Sequence, residues 1–92
     1  MHVMLKKFGT TLTSRQFGKE AFTVFKSQLT DLSDHEKLEI DFEGVNTFSP
    51  SWGDEFLTPL VGIYGDRLVF INTQNPSVKA TLKFLESLDK DL

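Results

Sequence analysis

The first hydrophobic pattern in the chain predicts a short strand followed by an amphipathic helix. Residues from about Val3 to Phe8 form a mainly apolar run that ends at Gly9 and a threonine-rich turn, which is typical of a strand. Apolar residues then recur at spacings of three and four, which indicates one buried helix face. These residues are Phe17, Ala21, Val24, Phe25 and Leu29. Thr13 stands at the expected N-cap of this helix, and Gln16 completes the spacing of a capping box.

A second strand and a second helix follow. The stretch "LEIDF" alternates apolar and acidic residues, and a period of two predicts a strand. Ser49 is suited to cap the second helix, because Pro50 at the first helical position loses no hydrogen bond. We expect this helix to be short or bent, since Pro59 lies inside it and glycines follow at positions 62 and 65. Its inward face is predicted to carry Trp52, Phe56 and Leu60.

The last part of the chain repeats the same order. "RLVFI" is a continuous apolar run, which favours a strand buried on both faces. Asn75 followed by Pro76 predicts the start of a third helix. The inward face of this helix is predicted to carry Val78, Leu82, Leu85 and Leu88. The final "DKDL" is predicted to be a solvated tail.

The alternation of strands and helices predicts a β-α-β-α-β-α domain of the α/β class. Such an order favours a mainly parallel or mixed sheet with right-handed crossovers. We expect three to four strands, the fourth coming from the turn between Gly9 and Leu12. The 92 residues are enough for a single domain spanning positions 1–92 with one core.

Composition and charge narrow the function classes. The net charge of −3 comes from interspersed acidic and basic residues, which disfavours binding to a nucleic-acid backbone unless Lys6, Lys7, Arg15 and Lys19 gather on one surface. The absence of cysteine excludes disulfides and thiolate zinc sites and is consistent with a reducing cytoplasm. No segment resembles a signal peptide or a membrane span, so we predict a cytoplasmic protein without membrane contact.

Candidate chemistry is sparse. His2 and His35 stand alone in polar surroundings, and we expect them to be solvated rather than metal ligands. The chain has neither a P-loop nor a GxGxxG sequence, so no metal or cofactor is expected. The loops that follow the predicted strands are rich in hydroxyls and amides, and ligands of open α/β sheets bind at such strand ends. The rim formed by these loops would carry Thr13, Arg15, Ser49, Ser51, Asp54, Asn72 and Asn75.

The same residues carry a family resemblance. "LEIDFEGVNTFSPSWGDEF" resembles the central signature of a STAS-like family of prokaryotic proteins, the DUF4325 type, in which an aspartate-ended strand leads to "GV", a small-residue turn and an acidic pair. "SRQFGKEA" and "VFINTQNPSVKATLKFL" resemble the flanking segments of that family. Before the acidic pair, the family more usually has an aromatic residue followed by alanine, whereas this chain has Trp52 and Gly53. The segment "TPLVGIYGD" that follows the pair is also less typical of the family.

More distantly, the family resembles the STAS anti-sigma-factor antagonists. Those domains bind histidine-kinase-like ATPases and are switched by phosphorylation of a serine, whose place Ser51 takes here, with Ser49 in place of the preceding aspartate. A phosphate on Ser51 would lie near the positive end of a helix, but also near Asp54 and Glu55 without a basic clamp. The resemblance implies a non-enzymatic module that binds a signalling protein, with an unspecified oligomeric state.

Asp54 and Glu55 leave several interpretations open. Carboxylates are stabilised near helix starts without any function, and they could equally accept hydrogen bonds from Arg15 or bind a basic partner. Adjacent helical residues point about 100° apart, so an acid and base acting on one bond is disfavoured. We therefore predict a protein-binding rim comprising Arg15, Ser49, Ser51, Asp54, Glu55, Asn72 and Asn75. The alternative is a small-molecule or nucleotide binder, or less readily a hydrolytic enzyme, that uses Asp54 and Glu55.

Overall fold

The computed structural model describes residues 1–88, so the predicted "DKDL" tail lies outside the described residues. Its strands and helices alternate as predicted, which confirms the α/β class. The strands are β1 (His2–Met4), β2 (Thr11–Leu12), β3 (Leu38–Asp41), β4 (Thr47–Phe48) and β5 (Leu68–Ile71). The helices are α1 (Arg15–Lys26), α2 (Pro50–Tyr64) and α3 (Pro76–Ser87). Short 3₁₀ turns span Leu5–Phe8, Leu29–Asp31 and Gly65–Arg67.

The main sheet has the order β1-β3-β5, and both strand pairs are parallel. Each crossover moves the chain one strand in the same direction, and right-handed crossovers of this kind place their helices on one face. In agreement, α2 packs against both α1 and α3. The core face of the sheet carries Val3, Ile40 and Phe70 in register. The opposite face, here called the open face, carries His2, Met4, Glu39, Asp41, Val69 and Ile71.

The predicted fourth strand exists but does not join the main sheet. Thr11–Leu12 pairs in parallel with Thr47–Phe48, and these two strands form a separate small sheet. The first strand is also shorter than predicted, since it ends at Met4 and the chain turns through Leu5–Phe8. Gly9 closes that turn with a φ of 130°, a conformation that glycine adopts without strain.

Strand β5 is not the doubly buried strand that its sequence predicts. It lies at one edge of the sheet, and all four of its residues are half-buried. The central position belongs to β3, in which Leu38 and Ile40 are fully buried. The order of the strands in the sheet determines which strand is central, and an apolar run alone does not distinguish an edge strand from a central one.

Helix α2 is the longest helix of the described chain, although a short or bent helix was predicted. It continues for 15 residues through Pro59 to Tyr64, and Gly65, which caps its C-terminus, has a φ of 52°. Trp52, Phe56 and Leu60 are buried as predicted, and the Trp52 and Phe56 rings stack with centroids 4.9 Å apart. Burial of these side chains offsets the loss of one helical hydrogen bond at the proline.

The predicted apolar faces of the other two helices are partly wrong. In α1, Phe17 and Val24 are 66% and 61% exposed, and in α3 Leu88, just past its last residue, is 50% exposed. At about 100° per residue, Phe17 and Val24 lie at one border of the apolar stripe of α1. The centre of that stripe is occupied by the buried residues Gly18, Ala21 and Phe25. The N-cap of α1 is Ser14 and not Thr13, because Ser14 Oγ accepts a hydrogen bond from Phe17 N–H.

Candidate functional site

Arg15 joins the first two helices through both members of the acidic pair. Its Nη1 donates to Glu55 Oε1 at 2.8 Å and to Asp54 Oδ2 at 3.3 Å. Thr58 Oγ1 donates to the other Asp54 oxygen, Oδ1, at 2.7 Å. These hydrogen bonds raise the pKa of Arg15 above its ordinary value, and the one with Glu55 has the larger effect. Arg15, Asp54 and Glu55 are called the Arg15 cluster below.

The Arg15 cluster depends on where the two helices begin and how closely they approach. Ser14 caps α1, so Arg15 is its first residue, whereas Asp54 and Glu55 lie in the second turn of α2. The influence of a helix dipole falls off beyond the first turn, so the dipole explains the acidic pair poorly. Gly18 brings α1 against α2, since a Cβ on it would lie 2.7 Å from Trp52 O. The structure therefore favours the interpretation of the pair as a hydrogen-bonded network with Arg15.

Two of the grooves along α1 extend to residues of α2. The first, of about 480 Å³, lies between α1 and α2 beside the Arg15 cluster. It is lined by Lys19, Phe22, Thr23, Lys26, Asp54, Glu55, Thr58 and Pro59. The second, of about 230 Å³, is mainly apolar and is lined by Phe8, Phe17, Glu20, Ala21, Val24 and Trp52. Sequence reasoning missed this apolar groove because it assigned Phe17 and Val24 to the core.

The remaining predicted rim residues shape loops. Ser49 caps α2 by accepting from Trp52 N–H, and its Oγ donates to the Thr13 carbonyl at 2.8 Å. Asn75 caps α3 by accepting from two backbone amides, and its Nδ2 donates to the Asn46 carbonyl at 3.2 Å. These side chains are already engaged in local hydrogen bonds. The structure brings together Arg15, Asp54 and Glu55 from the predicted set, and it gives Ser49 and Asn75 structural contacts elsewhere.

Ser51 lies in the first turn of α2 and is half-buried. Few backbone amides near it are available to a phosphate. Pro50 has no N–H, the Trp52 N–H donates to Ser49 Oγ, and the Gly53 N–H donates to the Ser49 carbonyl at 2.9 Å. Among these first positions of the helix, the Ser51 N–H alone remains for an added anion.

A second polar network, which sequence reasoning missed, surrounds Asp41 at the end of the central strand. Asp41 is only 3% exposed, and its carboxylate accepts hydrogen bonds from His2 Nε2 at 2.7 Å, Asn72 Nδ2 at 2.8 Å and Glu43 N–H at 2.9 Å. Burial acts to raise the pKa of Asp41, but hydrogen bonds from Asn72, Glu43 and His2 outweigh it and leave the pKa lowered. An ionised carboxylate can only accept, so His2 carries its proton on Nε2.

This second network ties the loop after β5 to the central strand. Asn72 adopts a left-handed conformation with a φ of 57°, which asparagine tolerates better than most residues. His2 was expected to be solvated, but its half-exposed ring is held against Asp41 across the open face. One indication of this network was present in the sequence, an aspartate at the end of an alternating strand. Its partners His2 and Asn72 are distant in the chain, so the local sequence did not identify them.

Neither network forms a metal-binding cluster. Within residues 1–88, no group of three or more histidine, aspartate or glutamate side chains is arranged to hold an ion. In the same part of the chain, no helix has both the length and the apolar character needed to cross a bilayer.

Comparison with known proteins places these features in a family. The family described as a STAS-like domain of unknown function (DUF4325) matches residues 20–78, which is more than half of the chain. The match includes Asp41, Ser51 and the acidic pair, and it leaves Arg15 outside. No curated protein and no solved structure matches the chain. The resemblance predicted from the sequence is confirmed, and the chain belongs to the family of STAS-like domains of unknown function.

Proposed function

We propose that this chain is a non-enzymatic regulatory module that binds a partner signalling protein, such as a histidine-kinase-like ATPase. The proposed contact surface consists of the Arg15 cluster and the apolar groove on α1. The observation that carries the proposal is the exposure of two large apolar side chains, Phe17 and Val24, on the same helix that supplies Arg15.

The apolar groove and the Arg15 cluster lie at opposite borders of α1, because Phe17 and Arg15 are about 160° apart around a helix of about 100° per residue. Single exposed apolar residues are common and need no explanation, but here two of them border a concave groove with half-buried Phe8. A partner that contacts both would cover the exposed side of α1 between them, and interfaces typically combine apolar and polar contacts. Within residues 1–88, the two hydrogen bonds that Arg15 donates both use Nη1, so Nε and Nη2 are open to a partner carboxylate or carbonyl.

The other predicted binding residues take a supporting part in this proposal. Ser49 and Asn75 position the loops before α2 and α3, and Asn72 holds Asp41. Ser51 precedes Glu55 by one helical turn, so the two side chains share one side of α2. Phosphorylation of Ser51 would add a third anionic group beside Asp54 and Glu55 and compete with Glu55 for the guanidinium, which offers a route to regulation.

The test combines partner identification with matched variants. A partner captured from the native host is identified, purified and titrated against wild-type protein, Phe17→Ala and Ile63→Ala. Ile63 is the control because it is also a large exposed apolar residue, 58% exposed, but lies outside both grooves. We expect about a tenfold or greater loss of affinity for Phe17→Ala and little change for Ile63→Ala.

The double variant Asp54→Asn with Glu55→Gln tests the polar part of the surface. Weaker binding with an unchanged unfolding midpoint would identify the Arg15 cluster as a recognition element. Equal affinities for all of these variants, or no partner captured by wild-type protein, would contradict the proposed function.

A small-molecule or nucleotide binder is the second candidate, and hydrolysis by Asp54 and Glu55 is a weaker one. Small-molecule or nucleotide binding is favoured by the groove of about 480 Å³, whose lining combines Lys19 and Lys26 of α1 with the carboxylates of α2. A thermal-shift screen with nucleotides and phosphate compounds tests it, since a ligand at 100 times its Kd stabilises a protein by about 2.7 kcal/mol. A hit that Asp54→Asn with Glu55→Gln abolishes would support this candidate over the protein partner.

A further inference from the structure

We propose that the chain associates with a second copy of itself through the free edge of β5, with the two β5 strands paired antiparallel about a two-fold axis. This inference concerns the sheet edge, whereas the partner surface proposed above lies on α1 and α2. The two proposals therefore stand or fall separately.

The outward side of β5 has unpaired backbone groups. The Phe42 N–H donates to the Ile71 carbonyl at 3.0 Å, which shows that Ile71 faces β3. Backbone groups of a parallel strand alternate between its two sides, so Val69 also faces β3, while Phe70 directs its N–H and C=O outward. Leu68 contributes its outward C=O alone, because its N–H donates to the Gly65 carbonyl. No strand within residues 1–88 pairs with this side of β5. The edge therefore offers the Phe70 N–H as a donor and the Leu68 and Phe70 carbonyls as acceptors.

The side chains of β5 do not protect this edge. Natural edge strands are commonly blunted by charged residues, proline, bulges or short length. All four residues from Leu68 to Ile71 are apolar and half-buried, and none is charged or proline. The other edge of the sheet is different, because β1 has three residues, including His2, and turns away at Leu5. The chemistry thus selects β5 as the pairing edge.

One register satisfies the geometry best. Side chains on the same face must lie opposite one another, so the axis passes through either a Val69 pair or a Phe70 pair. Centring on Val69 places Leu68 opposite Phe70 of the partner copy, so that the Phe70 N–H of each copy can donate to the Leu68 carbonyl of the other. Centring on Phe70 would instead place Leu68 opposite Asn72, whose φ of 57° takes its backbone out of the extended conformation. The Val69-centred register is therefore assigned.

A second copy is the occupant that this edge fits. The outward groups are complementary to themselves under a two-fold rotation, and the uncharged strand does not repel its copy. Stable protein interfaces bury about 1,200–2,000 Å² in total, and a four-residue edge buries less than this. We therefore expect a weak dimer, with a Kd between about 10 µM and 1 mM, that forms as protein concentration rises.

Sedimentation equilibrium of the full chain tests the association directly. We expect the average mass of wild-type protein to rise from the monomer towards the dimer between about 10 µM and 1 mM. Val69→Lys should remain monomeric, because it places like charges directly opposite each other. Met4→Lys is the matched control, since Met4 lies on the same open face but on the opposite edge strand, and it should associate like wild-type protein. A wild-type mass that stays monomeric throughout would overturn the proposal.

Cross-linking tests the register and does not depend on the lysine variants. The chain contains no cysteine, so Val69→Cys introduces a single thiol. Residues opposite each other in a non-hydrogen-bonded pair have Cα atoms about 4.5 Å apart, which suits a disulfide. Under mild oxidation, Val69→Cys should form covalent dimers at least tenfold faster than Met4→Cys. Equal rates would indicate random collision and overturn the assignment. The proposal would also be overturned if the chain stayed monomeric and its β5 edge paired with a strand of a different protein.

Discussion

The contact between α1 and α2 at Gly18 gives a prediction whose sign opposes helix propensity. Alanine stabilises a helix interior by about 1 kcal/mol relative to glycine, so propensity alone predicts that Gly18→Ala stabilises the protein. The structure predicts the reverse. The added Cβ would lie 2.7 Å from the Trp52 carbonyl oxygen and 3.0 Å from its Cα, and both atoms belong to the backbone.

The size of the effect follows from the two opposing contributions. Overpacking a buried contact costs about 1–3 kcal/mol, and a backbone neighbour cannot move aside as a flexible side chain can. The contacts of 2.7 and 3.0 Å are with backbone atoms, so we expect the upper part of that range, about 2–3 kcal/mol. Subtracting the propensity gain of about 1 kcal/mol leaves a loss of about 1–2 kcal/mol, or a melting temperature lower by about 4–15 °C for a domain of this size. Gly62→Ala is the matched control, since Gly62 is also helical and its Cβ would meet nothing within 4 Å. It should stabilise the chain by about 0.5–1 kcal/mol.

Urea unfolding followed by tryptophan fluorescence and circular dichroism measures both variants. Trp52 is the single tryptophan and is 1% exposed, so its emission reports on this same helix contact. We expect opposite shifts of the two unfolding midpoints. If Gly18→Ala were as stable as Gly62→Ala, the close approach of α1 to α2 would be refuted, and the basis for the Arg15 cluster with it.

Three further predictions concern the Asp41 network and the cap of α2. Asp41→Asn should cost about 1–3 kcal/mol at neutral pH, measured by urea unfolding, because a buried carboxylate accepting several hydrogen bonds is disrupted. The lowered pKa of Asp41 means that the unfolded chain binds its proton more readily. The contribution of Asp41 is therefore complete above its ordinary pKa of 3.8 and is lost as pH falls below that value, so the wild-type midpoint should drop more steeply there than that of Asp41→Asn. Ser49→Ala should cost about 0.5–2 kcal/mol through loss of the α2 cap, whereas Ser51→Ala should change the midpoint little; equal costs would contradict the assigned cap.

Part of the candidate site could be predicted from local sequence. The serine-proline and asparagine-proline steps placed the starts of α2 and α3 correctly, because capping involves residues within one turn of each other. The hypothesis that Arg15 donates to the acidic pair is confirmed as a contact. The apolar groove was not predicted, since Phe17 and Val24 fit the spacing of a buried face but lie at its border.

The sequence by itself determined the order of the three main-sheet strands and the three helices, the caps of α2 and α3, and the family, whereas β4 was not predicted. Those features depend on periodicity and on contacts between near neighbours. Only the tertiary structure decided that β5 is an edge strand, that α2 continues through Pro59, and that Asp41 is held by His2 and Asn72. These outcomes depend on strand order and on packing between residues distant in the chain. A local pattern carries no information on which neighbours the fold will supply.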